Sequence, residues 1–352
     1  MKLLINKEAK GAKELQQLTG SYYKSNEFTR IRTDWVLAQE AIQKLVSKEV
    51  MTRALQHYHS EEYENPYDFN GSGDNLDNEL VNHLQMAIAY RCTYNYYQTN
   101  ITSHEDAGRK VKIDPENEKL PWEWMLDRDD RAQIKRINQT SDRLVDFLED
   151  NKINEWFEST QRKASRNLFV NTPELFHEAY PIDMSTRFFY STTAFNAEIQ
   201  NKHIRKALGA EYQNLLDYFQ AFAGTDYPYG AEGSGSASGG LPGEVEVNEY
   251  YEDLLQQVQK VIPMLTMDIA YKRLSLQALP DGVVQKFNSQ FQSRSSSQPV
   301  MIDVIAKHCR LLREDADRYL DDIKRIIHAN DPEATDHLLL PNNEESNKFF
   351  RT

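Results

Sequence analysis

Ile42-Gln43-Lys44-Leu45-Val46-Ser47-Lys48-Glu49-Val50 and, 162 residues further on, Ile204-Arg205-Lys206-Ala207-Leu208-Gly209-Ala210-Glu211-Tyr212 are two versions of one sentence. Both carry apolar residues at helical spacing and both lead into a second helical run, so this pair decides the fold class. The match extends in both directions. Leu3-Leu4-Ile5-Asn6 returns as Leu168-Phe169-Val170-Asn171, and Pro66-Tyr67 with Gly71-Ser72-Gly73 returns as Pro228-Tyr229 with Gly233-Ser234-Gly235. Beyond that loop, Leu80-Val81-Asn82-His83-Leu84-Gln85 returns as Leu254-Leu255-Gln256-Gln257-Val258-Gln259, now 174 residues on. The change of offset falls on the Gly/Ser stretch after Gly235, as a loop insertion would produce.

The chain therefore reads as mainly α, with two tandem duplicated helical-bundle domains, a few short strands, and extended loops and arms. The first copy spans 1–165 and the second 166–329, with the Gly/Ser insertion at 230–243; a C-terminal arm follows at 330–352. At about 170 residues each copy is long enough to bury one core. From Asp34 to Tyr58, Trp35, Ala38, Ile42, Leu45, Val46, Val50, Ala54 and Leu55 form one apolar face, with Asp34 as its expected N-cap. Further helices are expected from Asn75 to about Gln98, Asp129 to about Glu149, Ser191 to about Phe219, Asn248 to about Leu279 and Val300 to about Ala329. Shorter ones are expected at 10–20 and 173–179, the latter opened by Thr172-Pro173-Glu174. Pro263 predicts a kink or a helix junction. The Leu3–Asn6 and Leu168–Asn171 segments are expected as brief strands.

Of the 352 residues, 39% are hydrophobic and 27% charged, and the formal net charge is −13. That balance fits a folded chain and argues against broad binding to a phosphate backbone, which needs clustered Lys and Arg. Cys92 and Cys309 are too few and too far apart for a disulfide framework. No apolar run reaches the length of a membrane span, and the first residues lack the apolar core of a signal peptide.

Chemistry-bearing motifs are sparse. Gly233–Gly240 is Gly-rich but lacks the Gly-Lys-Ser/Thr ending of a phosphate loop. His57 and His59 sit beside Glu61 and Glu62 at a helix end, where an imidazole is favoured by the helix dipole; a tight metal site needs more converging ligands. Glu174-x-x-His177 matches half of a di-iron pattern, without a counterpart in the first copy. Cys92 lies among apolar and aromatic residues and reads as an inert core thiol. No catalytic residue, metal or cofactor is expected, and an enzyme is not. The 19 tyrosines cluster, as at Tyr90, Tyr94, Tyr96 and Tyr97, which suits core margins and protein interfaces. The expected interface positions are Pro66, Tyr67, Gly71, Gly73, Pro228, Tyr229, Gly233 and Gly235 in the two loops, with Leu338, Leu339, Phe349 and Phe350 in the arm.

Leu168-Phe169-Val170-Asn171-Thr172, Phe195-Asn196-Ala197-Glu198-Ile199, Ile204–Gly209 and Arg143-Leu144-Val145-Asp146-Phe147-Leu148 resemble duplicated helical proteins from the structural-gene clusters of tailed phages and prophages of gut bacteria, similar to head–tail connector (neck adaptor) proteins. The first copy departs from the pattern at Ser47, where the second has Gly209. The resemblance implies a homo-oligomeric ring, commonly twelvefold, between a portal protein and the next tail or neck component. It implies DNA passing the lumen without specific binding, no membrane partner, and a location in the virion neck after assembly in the host cytoplasm. The alternative reading is a cytoplasmic bacterial adaptor or regulatory protein with two helical domains. A third, a carboxylate and metal enzyme, would rest on His57, His59 and His177.

Overall fold

The structure is a computed structural model and describes residues 2–20, 28–63, 75–100, 102–105, 108–111, 123–226, 248–273, 276–279, 282–285 and 302–330. The fold is mainly α. Two compact units divide the chain. Among the described residues, unit 1 contains those up to Lys163 together with Ser185–Tyr190; unit 2 contains Ala164–Met184 and those from Ser191 onward.

Unit 1 begins with an irregular segment and a single 3-10 turn, Lys7–Ala9, then α1 (Gly11–Thr19), α2 (Phe28–Val46), α3 (Lys48–Tyr58) and α4 (Leu76–Asn100). A small antiparallel hairpin, β1 (Thr102–Glu105) with β2 (Gly108–Val111), leads to α5 (Glu123–Asp150), α6 (Asn154–Phe157) and α7 (Thr160–Arg166, whose last three residues belong to unit 2). The core is the apolar face of α2 and α3 packed on α4 and α5. Ile31, Trp35, Ala38, Ile42, Val46, Val50, Met51 and Ala54 meet Leu80, Leu84, Ile88 and Leu144. Burying side chains of this kind is worth about 1.5–3 kcal/mol each. Asn75 caps α4: its Oδ1 accepts from the amides of Asp77 and Asn78.

Unit 2 contains α8 (Pro173–Ala179), α9 (Thr186–Ile199, whose first turn belongs to unit 1), a π-helical turn (Gln200–Ile204), α10 (Arg205–Leu208), α11 (Glu211–Asp226) and α12 (Glu249–Arg273). A second hairpin, β3 (Leu276–Leu279) with β4 (Gly282–Gln285), precedes α13 (Ile302–Asn330). α12 packs chiefly on α13 and α8. Thr172 caps α8 through Oγ1, with Pro173 in the first turn where a missing amide costs nothing.

Four expectations are corrected. Residues 34–58 are two helices, not one. Asp34 lies inside α2, and the break falls at Ser47, where φ is 113° and Oγ accepts from the Val50 amide. In unit 2 the break falls at Gly209, φ 57°. Pro263 does not mark a helix junction but lies within α12, and that helix stops at Arg273 rather than near Leu279. Leu3–Asn6 and Leu168–Asn171 are irregular, not strands. At their centres the amides and carbonyls of Leu4 and Phe169 are satisfied by glutamine side chains, where a strand partner would otherwise bond.

Candidate functional site

Those glutamines are the most unusual polar feature of the structure. In unit 1, Gln39 on α2 is fully buried. Its Oε1 accepts from the Leu4 amide at 3.1 Å and from Trp35 Nε1 at 3.2 Å, and its Nε2 donates to the Lys2 carbonyl at 3.1 Å. Gln85 on α4, also buried, donates from Nε2 to the Leu4 carbonyl at 2.8 Å. Leu4 is thus held by its amide and its carbonyl, between two helices, by side chains that imitate a neighbouring strand.

Unit 2 contains the same arrangement. Gln200 accepts from the Phe169 amide at 2.9 Å and donates to the Asn167 carbonyl and to Tyr212 Oη, each at 3.0 Å. Gln259 on α12 donates to the Phe169 carbonyl at 3.1 Å. From Gln39 to the break at Ser47 is eight residues; from Gln200 to the break at Gly209 is nine. The π turn that starts at Gln200 accommodates the additional residue without moving the glutamine off its target, which is what a one-residue insertion does to an α-helix.

Charged side chains gather around two hubs. In unit 1, the Glu149 carboxylate accepts from Trp156 Nε1 at 2.9 Å and from Tyr190 Oη, and pairs with the largely buried Arg162. Arg53 joins α3 to Asp77 and Glu155 at 2.7 and 2.9 Å. In unit 2, the buried Asp268 pairs with Lys272 and, at 2.8 Å, with Arg313, tying α12 to α13. Burial alone would raise the Asp268 carboxyl, but hydrogen bonds from Lys272 and Arg313 outweigh it and hold the group below its ordinary value. Nearby, Tyr180 Oη lies 2.7 Å from Tyr271 Oη and 3.2 Å from His308 Nε2.

The residues singled out in the sequence fare unevenly. Pro66, Tyr67, Gly71, Gly73, Pro228, Tyr229, Gly233, Gly235, Leu338, Leu339, Phe349 and Phe350 lie outside the described residues. His57 Nε2 is 2.6 Å from Asn78 Oδ1, and His59 stacks edge-on against Tyr58. His177 Nδ1 accepts from the Ile182 and Met184 amides at 3.1 and 3.4 Å, so it braces a tight loop. Among the described residues, no group of three or more His, Cys, Asp or Glu could hold a metal ion. Burial raises the Cys92 thiol well above its ordinary value, leaving it a poor nucleophile. Tyr96 is buried and Tyr97 packs against the core, as core-margin tyrosines do. No helix among the described residues is long and apolar enough to cross a membrane.

The glutamine clamps are what sequence reasoning missed. Gln85 and Gln259 stand at matched positions in the repeated Leu80–Gln85 block, which was a usable signal; the π turn hid the correspondence of Gln39 and Gln200.

No curated protein and no solved structure matches the chain. One family model does, over residues 34–166 and 236–336, described as a family of unknown function (DUF6712). These two stretches make up well over half of the chain and take in α3 to α7 and most of α2, together with α12 and α13 of unit 2, with Gln39, Gln85 and Gln259 among the residues matched; the chain belongs to this family, DUF6712.

Proposed function

We propose that the chain is a tandem duplication of one helical scaffold and that it works as a structural assembly subunit, a ring-forming head–tail connector of a tailed phage. The observation that carries the duplication is the repeated glutamine clamp: the same three backbone positions, gripped by two glutamines from two helices, in each unit. The hairpins support it too, since β3 and β4 follow β1 and β2 at the 174-residue offset of the preceding helices. Identical scaffolding with dissimilar surface chemistry suits a building block that presents two related faces.

The connector reading rests on the resemblance given above, on the helical class, and on a chain of net charge −13 along which DNA would slide without adhering. Exposed Trp124, Met125 and Leu126 at the head of α5 are the kind of apolar residues that become buried on assembly. Native mass measurement and electron-microscope projections of the purified full chain test the proposal. Closed rings of one stoichiometry are expected. A chain that stays monomeric at every concentration and is absent from virions would contradict it.

A further inference from the structure

The head of α5 in unit 1 combines apolar surface with positive charge. Trp124, Arg128, Arg131 and Lys135 stand at i, i+4, i+7 and i+11, so they share one side of the helix, and all four are exposed. Met125 and Leu126 are exposed beside them. The other described tryptophans, Trp35 and Trp156, are fully buried, so an exposed indole flanked by arginines is exceptional in this chain. Tryptophan and arginine are the residues that most often carry the energy of a protein interface.

The opposite combination lies in unit 2, where α11 packs on α12. Tyr218, Tyr251 and Tyr250 form a run of half-buried rings, with centroids 5.2 and 5.1 Å apart. Carboxylates border them. Glu252 accepts from Tyr218 Oη at 2.8 Å, and Glu211 accepts from Asn214 Nδ2 at 3.2 Å and from Tyr251 Oη at 3.4 Å; Glu249 and Asp253 are exposed. α11 and the stretch Glu249–Gln259 of α12 contain no lysine or arginine, in a chain that has 41, so no cation of these segments cancels the charge. Neither combination is repeated in the other unit. In the register that pairs Asp142-Arg143 with Asp317-Arg318, Arg128 and Arg131 correspond to Asp303 and Ala306. Conversely, Tyr251 corresponds to Asp77, which Arg53 pairs at 2.7 Å in unit 1, and the position of Arg53 is the buried Leu215 in unit 2.

We propose that the Trp124 face of α5 in one copy of the chain docks on the surface of Tyr218, Tyr250 and Tyr251 in a second copy, with Arg128 and Lys135 set against Glu249 and Asp253. Copies of net charge −13 repel one another unless opposite local charges meet, and this pairing supplies them. Each copy carries one surface of each kind, so the contact is head-to-tail, the type that closes into rings when the rotation allows. A symmetric contact of either surface with itself would place like charges together. The inference rests on the connector reading in that copies must associate, and it names the surfaces through which they do.

The test is a charge swap in the full chain, read by native mass measurement across a concentration series. One variant carries Arg128→Glu with Lys135→Glu, the other Glu249→Lys with Asp253→Lys. All four positions are exposed, so far-UV spectra and melting temperatures should stay close to those of the wild type. Each variant alone should need about tenfold or more protein to reach half-assembly. An equimolar mixture should recover assembly, because the reversed face of one variant meets the reversed surface of the other and the native pair also forms. Misfolded variants could not give that recovery. If either variant alone assembles as the wild type does, or if two folded variants fail to recover on mixing, the docking pair is overturned while the connector reading stands. A wild-type chain that stays monomeric at every concentration overturns both.

Discussion

Replacing Gln39 with leucine isolates what a clamp contributes. The two side chains are close in volume, so packing against α4 is largely kept. Three hydrogen bonds are lost. The Lys2 carbonyl belongs to an exposed residue and recovers water. The Leu4 amide and Trp35 Nε1 belong to residues with no solvent exposure and cannot. Each buried orphan donor costs about 1–3 kcal/mol, and the better transfer of leucine into the core offsets part of that. The expected net loss is about 2–4 kcal/mol, a large share of the roughly 5–15 kcal/mol typical of a domain. All four tryptophans precede Lys163, so fluorescence reports on the first unit. In urea the fluorescence midpoint should fall by about 1 M or more, taking a slope of about 1–3 kcal/mol per M. Glu49→Gln, at an exposed position on α3, is the control and should stay within about 0.5 kcal/mol. If Gln39→Leu shifts the midpoint no more than this control, the clamp is not a support of the fold.

The two helix breaks should respond with opposite signs. Ser47→Gly removes the strain of a non-glycine residue at φ 113°, ψ 165°, worth about 1–3 kcal/mol, and loses only a few tenths as a cap; denaturation should show a net gain. Gly209→Ala places a Cβ at φ 57°, where open space prevents a clash but the backbone is strained, and should cost about 1–2 kcal/mol. Asp268→Asn weakens two charge-assisted bonds and should cost about 1.5–3 kcal/mol, read from far-UV unfolding at pH 7. Because the Asp268 carboxyl is held below its unfolded value, its contribution is present above about pH 4 and vanishes as pH falls through the folded value; the Asn variant should lack that acid-side decline. His83, stacked on Phe147, has its imidazole lowered first by burial, so the unfolded chain takes up a proton sooner than the folded one. Stability should therefore drop as pH falls from 7 to 5, and His83→Phe should flatten that slope in urea titrations.

Most of the helical framework was legible in the sequence because it depends on patterns that local physics enforces. The apolar stripes of 76–100 and 302–330 and the Thr172-Pro173-Glu174 start have few alternative readings. What escaped was decided by tertiary partners. Ser47 is an ordinary N-cap residue, but it lies inside an apolar stripe from Trp35 to Leu55 that reads as one helix, so its positive φ and its capping bond to Val50 did not show in the pattern. Leu3–Asn6 has strand-like composition, yet its hydrogen bonds go to Gln39 and Gln85, distant in sequence. Pro263 is tolerated within α12 because the helix around it is buried against α13 and α8.

The central claim is that two related scaffolds on one chain serve assembly. Electron-microscope projections of the purified full chain, across a concentration series, test it most directly. The account predicts closed rings of a single symmetry. Particles that remain single subunits at every concentration, with no copies detected in virions, would contradict it.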